Sequence, residues 1–583
     1  MSTFDILKEL IEKYKVISFD VFDTALFRKT SVPRDIFKLI EKNENLCGFE
    51  MSRVKAEVHE RSGLNSNKKN EVSLNMIYEN PEMLKYSPKL EEQYELENIY
   101  ANEIILKLYK YAKSKGKKII FTSDTYFSEN FIRELLYKSG YNGLYDIFSS
   151  SDINLTKRDG SIFKYVLETL KIECSDIIHI GDNMHSDYII PSNLGITSYY
   201  LQNPFSLYVE GWSGVDNFSS VNLQRSIIIK GIADYLYYSK HTDCKMTYWQ
   251  EFGFKFAGPI VFAFVNWIYK QAENKFDDII FVARDGYLLK EVYEYFYKNT
   301  QIKCHYIYAP RILNSLSSYF DGHSDDFNED DIKRYIKNIN YSMQTDFNYN
   351  TDSMRDLAKK FCSEYAKYIN KIEFNHNESR IAVVDSAVTH FSSQKLLSKF
   401  LKTNLTGLYW WVPSAGNLLY DKYHYTTFQE SHDEQITKWN LVEYILSSPE
   451  PPILTINSNK PVYKNITDYD KKRIDIFLQI RQGMLKYIKI LKNNHCESFS
   501  NQDVTDYINL FCRYPNKNDI IHFKDVNIAS GIDNGKLYKL NLFSRKNNGL
   551  NIRIKKIIKR IIYSHRMIYI AYYKFRTMIF GKY

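Results

Sequence analysis

The chain lacks paired cysteines. Its seven cysteines are odd in number, scattered, and never in a Cys-x-x-Cys pair. This pattern disfavours a disulfide framework and a structural zinc site, and it is typical of a reducing compartment. The N-terminal stretch also lacks the apolar core of a signal peptide, because acidic residues interrupt it, and it predicts an amphipathic helix. Both absences predict a cytoplasmic protein.

Long apolar runs are also scarce. The longest strongly apolar stretch, residues 260–268, contains Asn266 and is far shorter than the roughly 20 residues that a membrane span requires. We therefore expect a core helix there. The 583 residues leave room for about three or four domains. A hydrophobic content of 44% is sufficient for packed cores.

Acidic residues are absent from the C-terminal tail. Residues 545–583 contain eleven Lys and Arg and no Asp or Glu, so the tail is strongly basic and the rest of this +9 chain is near neutral. Isoleucines recur between the basic residues at helical spacing. Such a helix either lies peripherally on an anionic membrane surface, such as the inner membrane face, or packs its isoleucines on the protein. No nucleic-acid partner is expected, because no recognised binding module accompanies the charge.

Polar residues follow three buried apolar runs of strand length. Asp20 follows residues 16–19, Ser123 ends the run that begins at residue 119, and Asp182 follows residues 177–181. Open α/β sheets bind ligands at the carboxyl ends of their strands, so these side chains predict a shared site.

The residue types at these positions favour phosphate chemistry. A carboxylate such as Asp20 can attack phosphorus and form an acyl phosphate, which water then hydrolyses. Ser123 and Lys157 supply a donor and a cation for the phosphoryl oxygens. Asp182 and Asp187, with Asp20, offer the oxygen ligands that Mg²⁺ prefers.

At this point the chain resembles the haloacid dehalogenase (HAD) superfamily, whose phosphatases carry four motifs in this order. In this chain the motifs contain Asp20, Ser123, Lys157, and the pair Asp182 and Asp187. The resemblance covers residues 16–201 and includes the Gly-Asp-x-x-x-x-Asp spacing that ends at Asp187. It implies Asp20 as nucleophile, Ser123 and Lys157 on the phosphate, and Asp182 with Asp187 on Mg²⁺.

One position departs from the family pattern. Family phosphatases usually place a second Asp, the general acid and base, two residues after the nucleophile, whereas this chain has Phe22 there and Asp23 next. Either Asp23 takes over proton transfer, or the leaving group needs little help, or catalysis is impaired. Asp23 can equally serve only to cap the turn after the strand.

Phe22 also raises two alternatives to a phosphatase. Halide-releasing members of the superfamily lack the second Asp, but they lose the metal-binding acidic pair that this chain keeps at Asp182 and Asp187. A non-catalytic scaffold at the membrane has no physical need for acids clustered at a cost to stability. The sequence therefore favours a phosphomonoesterase over both.

Helical signals dominate residues 25–117, between the first two motifs. They predict an all-α cap inserted into a Rossmann-like domain of residues 1–205. By resemblance, caps at this position close over small substrates and exclude bulk water, which implies a small phosphorylated metabolite rather than a phosphoprotein.

A second α/β Rossmann-like domain is predicted for residues 223–452. One of its strands ends at Asp385 and leads into a hydroxyl-rich turn, whose backbone and side chains suit a phosphate cradle at a helix start. Another ends at Arg284 and Asp285, a cation for diphosphate and an acid for metal. Structural roles, as helix caps and a strand-end ion pair, fit these residues equally well. The hydroxyls of the cradle are those of Ser386, Thr389 and Ser392.

The two predicted domains together are similar to proteins of bacterial capsule and surface-polysaccharide clusters, and the turn after Asp385 resembles the phosphate loop of phosphoribosyltransferases. The resemblance implies a transferase that uses phosphoribosyl pyrophosphate and a glycan acceptor, followed by removal of the 5-phosphate. Residues 453–583 are predicted to be mainly helical, with no separate active-site motif.

Overall fold

The computed structural model describes residues 3–64, 70–241, 245–320, 351–376, 378–388, 391–412, 423–429, 436–494, 498–529, 537–540 and 542–543, with a few positions between 333 and 340. The basic tail and Thr389 lie outside the described residues. The chain divides into two compact units, residues 1–510 and 511–583.

Strands and helices alternate along most of the chain. The strands are β1 Val16–Phe19, β2 Leu26–Arg28, β3 Ile99–Ala101, β4 Lys118–Ser123, β5 Asp146–Ser149, β6 Ile177–Gly181, β7 Thr197–Tyr200, β8 Asp278–Val282, β9 Lys303–Ile307, β10 Ile381–Ala387, β11 Thr406–Trp411, β12 His424–Thr427, β13 Ile453–Asn457, β14 Lys460–Tyr463, β15 Asn527–Ala529 and β16 Leu537–Lys539. The helices of the first half are α1 Thr3–Ile11, α2 Asp35–Asn43, α3 Phe49–Gly63, α4 Leu74–Glu79, α5 Pro88–Asn98, α6 Glu103–Ser114, α7 Glu129–Lys138, α8 Ser150–Ile153, α9 Ser161–Leu170, α10 Ile190–Asn193, α11 Pro204–Gly211, α12 Val215–Ser220, α13 Leu223–His241, α14 Tyr248–Phe252 and α15 Gly258–Ala272. Those of the second half are α16 Gly286–Phe296, α17 Arg311–Phe320, α18 Thr351–Ile369, α19 Ser392–Leu401, α20 Ile436–Ile445, α21 Asp468–Asn494, α22 Asn501–Arg513 and α23 Lys517–Phe523.

The first sheet has the order β5-β4-β1-β6-β7 and is parallel throughout. All four residues of β1 are buried, which explains why three of them are apolar and why the fourth, Ser18, has no charge. From β1 the chain builds outward through β4 and β5, then returns to the other side of β1 with β6. The strand order therefore reverses between β1 and β6. This reversal is the topological switch point, where such sheets bind ligands.

The insertion after β1 is helical, as predicted, except at its base. There β2 and β3 pair as an antiparallel ribbon, with Leu26 opposite Ala101. Strand β3 accordingly separates helix α5 from helix α6. The helix α6 packs on α1 and β4 and so belongs to the layer that covers the sheet.

The second sheet has the order β12-β11-β10-β8-β9, again parallel. Its strand order reverses between β8 and β10. Two parallel sheets with helical connections confirm the α/β class and the second Rossmann-like sheet. The edge strand β12 and the antiparallel ribbon of β13 and β14 are additions that the sequence patterns did not indicate.

The apolar stretch near residue 264 lies in a longer helix than its sequence indicates. Helix α14, a π-helical turn at Gly253–Ala257 and α15 run on without interruption over Tyr248–Ala272. This helix is long and apolar enough to cross a membrane, but 83% of its most apolar window is buried inside the protein. The burial agrees with the predicted core helix.

Candidate active site

The carboxyl edge of the first sheet brings the predicted residues of the four motifs to neighbouring strand ends. Phe19 pairs with Phe121 on one side and Ile180 on the other, so Asp20 emerges level with the ends of β4 and β6. The backbone N–H of Asp20 donates to the Ile180 carbonyl at 2.9 Å. Ser123 is the last residue of β4 and is buried.

Lys157 reaches this edge from the loop before α9. Its Nζ donates to Oδ1 of Asp20 and to Oδ1 of Asp187, both at 2.5 Å, and all three side chains are buried. The Asp124 carboxylate holds the loop by accepting from the backbone N–H groups of Lys157 and Arg158 at 2.7 and 3.3 Å. The single cation therefore bridges two of the predicted metal ligands.

The three acids of the predicted metal site converge. Asp20, Asp182 and Asp187 each offer a carboxylate oxygen, and these oxygens lie within 4.8 Å of one another. Asp182 accepts from Asn203 Nδ2 at 2.7 Å and from the Thr24 hydroxyl at 3.3 Å. Both carboxylate oxygens of Asp182 are thus oriented by neutral donors.

Asp187 is fixed by a second set of contacts. It lies in the π-helical turn Met184–Ile189 and accepts from the Asn183 backbone N–H at 2.9 Å. His179 Nε2 lies 3.2 Å from Asp187 Oδ1, and His179 Nδ1 lies 2.8 Å from the Ser18 hydroxyl. A Cβ at Gly181 would overlap the Asp187 carboxylate, which explains the glycine of this motif.

Burial dominates the electrostatics of the cluster. It raises the pKa of Asp20 to about 7, against the opposing effect of Lys157. Burial, with the neighbouring charges of Asp23 and Asp20, also raises the pKa of Asp182. At Asp187 burial acts in the same direction, but Lys157 and His179 outweigh it and hold the pKa below its usual range. One lysine does not neutralise three acids, so the cluster suits a further cation.

Phe22 and Asp23 occupy the turn after β1. The Phe22 ring packs at 5.9 Å from Phe127, and the Arg28 guanidinium lies 4.5 Å from its centroid. Asp23 has a left-handed backbone, with φ of 61°, and its N–H donates to the Leu26 carbonyl at 2.8 Å. Phe22 thus has a packing role, whereas the Asp23 charge contributes to the electrostatics of Asp182.

Four further residues of this site were not assigned a role from the sequence. Thr24 lies four residues after Asp20, and Asp124 directly follows Ser123, so their positions in the sequence alone indicate that they lie near the site. Nothing in the local pattern marks His179, which lies within the buried strand β6, or Asn203, which is the N-cap of α11.

The predicted residues of the second sheet are partly brought together. The Ser386 hydroxyl donates to Asp285, and the Ser386 N–H donates to Asp385 at 2.8 Å. Arg284 has a φ of 77° and donates its N–H to the Tyr306 hydroxyl at 2.9 Å. Ser392 is the first residue of α19, as expected for a turn that opens a helix.

Comparison with known proteins gives a limited match in sequence. No family model matches the chain. The curated haloacid dehalogenase-like hydrolase domain-containing protein 3 of Danio rerio is 36% identical over 55 residues, or 9% of this chain. The match spans 23% of the length of that relative.

Solved structures of the same kind cover about a third of the chain. The putative HAD-hydrolase YfnB from Bacillus subtilis, bound to magnesium, is 16% identical, covers 33% of this chain and 88% of its own, and has a TM-score of 0.25. A HAD phosphatase from Thermococcus onnurineus is 14% identical, covers 32% and 86%, and has a TM-score of 0.26. A dehalogenase with an intermediate complex is 12% identical, covers 32% and 83%, and has a TM-score of 0.24.

The parallel sheet with its reversal point defines a Rossmann-like α/β domain with polar groups at its carboxyl edge. The 55-residue similarity to a haloacid dehalogenase-like protein agrees with the resemblance carried by the sequence motifs.

Proposed function

We propose that the protein is a Mg²⁺-dependent phosphomonoesterase that acts on a small sugar phosphate through an aspartyl-phosphate intermediate. The observation that carries the proposal is the convergence of Asp20, Asp182 and Asp187 at the reversal point of the first sheet, with Lys157 bound to two of them. A nucleophile, a cation and a set of hard oxygen ligands in one buried cluster suit phosphoryl transfer.

Two steps follow from these residues. An Asp20 oxygen attacks the phosphorus, the new O–P bond forms, and the bond to the sugar oxygen breaks. Water then attacks the phosphorus of the acyl phosphate, which returns the Asp20 carboxylate and releases inorganic phosphate. Ser123 and Lys157 hold the phosphoryl oxygens during both steps. Asp23 is our candidate for donating a proton to the leaving sugar oxygen in the first step and for accepting one from the attacking water in the second.

The acidic cluster fits a magnesium ion in donor type and charge. Asp20, Asp182 and Asp187 supply oxygen ligands, and burial raises the pKa values of Asp20 and Asp182, so positive charge beside them favours their ionised form. When bound, Mg²⁺ supplies positive charge that stabilises the phosphoryl oxygens. Asn203 and Thr24 keep Asp182 oriented for it.

The substrate class rests on the helical insertion. An inserted cap encloses a limited volume over the sheet edge, which favours a small sugar phosphate. A role in capsule or surface-polysaccharide synthesis, transfer from phosphoribosyl pyrophosphate by the second sheet, and peripheral membrane contact through the tail stay predictions.

The test is phosphate release from a panel of sugar phosphates with Mg²⁺. Wild type should release phosphate from at least one member, Asp20→Asn should abolish release, and Asp146→Asn, an exposed acid at the start of β5, should not change it. Silence of the wild type on the whole panel contradicts the proposal and favours a scaffold. Chloride release from a 2-haloacid without metal favours dehalogenase chemistry instead.

A further inference from the structure

The second sheet has its own cluster of charged groups at its reversal point. Arg284 and Asp285 follow β8, and Ser386 lies near the end of β10, the two strands between which the direction of building reverses. Ligands bind doubly wound sheets at this position. Helix α16 also begins here, and its first amides point toward the same edge.

Three basic residues lie at this edge, and each is close to Glu450 or to a residue that contacts it. The Arg284 N–H donates to the Tyr306 hydroxyl at 2.9 Å, and that hydroxyl donates to Glu450 at 2.6 Å. Arg473 from α21 donates to the Glu450 carbonyl at 2.8 Å. Lys464 follows Tyr463, whose hydroxyl also contacts Glu450, at 3.4 Å.

The charge of Asp470 acts on Lys464 and Arg473, but from beyond ion-pair distance. In the part of the chain that the structure describes, none of Arg284, Lys464 and Arg473 has a carboxylate within ion-pair distance. Arg284 Nε is buried and has no hydrogen-bond partner among the described residues. Arg473 is only 7% exposed and donates to oxygens of Ser447, Ser448 and the Glu450 backbone, all of them neutral.

The acids at this edge are held by hydroxyl groups instead. Glu450 accepts from Tyr306 and Tyr308 at 2.6 and 2.5 Å, and Asp285 accepts from Ser386. The cations are therefore left free to act on something else. Burial first, and then the charge of Arg284, lower the pKa of both Lys464 and Arg473, and the opposing charge of Asp470 does not reverse the shift.

We propose that Arg284, Lys464 and Arg473 form a second anion site, which binds a phosphate or diphosphate group of a small ligand. An anion with several oxygens satisfies the free Arg284 Nε and relieves the repulsion among the three cations. The site is separate from the acidic cluster of the first sheet. Its assignment does not depend on the phosphomonoesterase proposal.

Calorimetric titration of the full chain with inorganic phosphate and, separately, with pyrophosphate tests the site. Arg284→Gln and Lys464→Gln should each weaken one binding component about tenfold or more, the usual loss of a charged hydrogen bond. Lys472→Gln, an exposed cation one residue from Arg473 on the same helix, should bind as wild type does. Asp20→Asn should retain the component. Pyrophosphate binding tighter than phosphate binding identifies a diphosphate site, and equal binding a monophosphate site.

Titration curves of Arg284→Gln and Lys464→Gln that superimpose on that of wild type overturn the proposal. So does an equal loss in Lys472→Gln. Thermal melts establish that each variant folds, and one folded variant is enough to decide. A crystal of the wild-type protein soaked in tungstate, a phosphate analogue, should show the anion at Arg284, and an anion at Asp20 alone refutes the second site.

Discussion

Replacing Lys157 with Met tests the electrostatics of the acidic cluster without metal. The substitution removes a buried cation that bridges Asp20 and Asp187 at 2.5 Å and keeps a side chain of similar length. Removing one partner of a buried ion pair typically costs about 3–5 kcal/mol, because it leaves an uncompensated buried charge. For a domain of this size we expect a melting temperature lower by on the order of 10 °C at pH 8.

The stability lost in Lys157→Met should increase as the pH rises. In wild type the depressed pKa of Asp187 contributes stability that is present above its unfolded pKa and is lost only as the pH falls through its folded value. In Lys157→Met the pKa of Asp20, which is already raised in wild type, should rise further, and the pKa of Asp187 should rise above its usual range. The penalty therefore grows as the pH rises above the unfolded pKa values of the two acids. The difference between variant and wild type should therefore be larger at pH 8 than at pH 5.

Differential scanning calorimetry in EDTA at the two pH values measures this difference. Lys164→Met, an exposed lysine on α9, provides the matched control and should melt as wild type does. A Lys157→Met protein as stable as wild type at pH 8, or a difference that does not change with pH, refutes the proposed role of this lysine.

Two further predictions concern the surroundings of the site. Asn203→Ala frees one oxygen of Asp182 and should weaken Mg²⁺ binding about 10–100-fold in a titration of the full chain, and unchanged affinity contradicts the role of this contact. Arg53 Nε lies 2.6 Å from a Glu91 carboxylate oxygen, and both side chains are fully buried in the insertion. Arg53→Met should therefore lower the free energy of unfolding by about 3–5 kcal/mol, as measured in a thermal or chemical melt. Arg34→Met, whose ion pair is exposed, should cost less than about 1 kcal/mol, and equal losses would show that burial is not the cause.

The sheet edge was predictable because its strands are buried on both faces. Continuous apolar runs mark β1 and β6 at their observed bounds, and each ends at the acid that the structure places in the cluster. Parallel strands deliver their carboxyl ends to one edge, so spacing along the chain was sufficient to predict convergence of Asp20 and Asp182.

Other features depend on contacts between distant segments. Asn203 reaches Asp182 across 21 positions of the chain, and Arg473 reaches the second sheet from α21, far from β8. The short strands β2 and β3 are stabilised by pairing with each other, and their sequences carry no clear alternation. Local sequence patterns do not encode such long-range contacts, so these residues and strands can be identified only from the folded structure.

Chemical trapping of the intermediate tests the central claim most directly. Protein quenched during turnover with Mg²⁺ and an active sugar phosphate, then reduced with borohydride and digested, should yield homoserine in place of Asp20, detected by mass spectrometry. The product should be missing without substrate and in Asp20→Asn. Phosphate release in the absence of any modification at residue 20, or with the modification at another acid, contradicts the account.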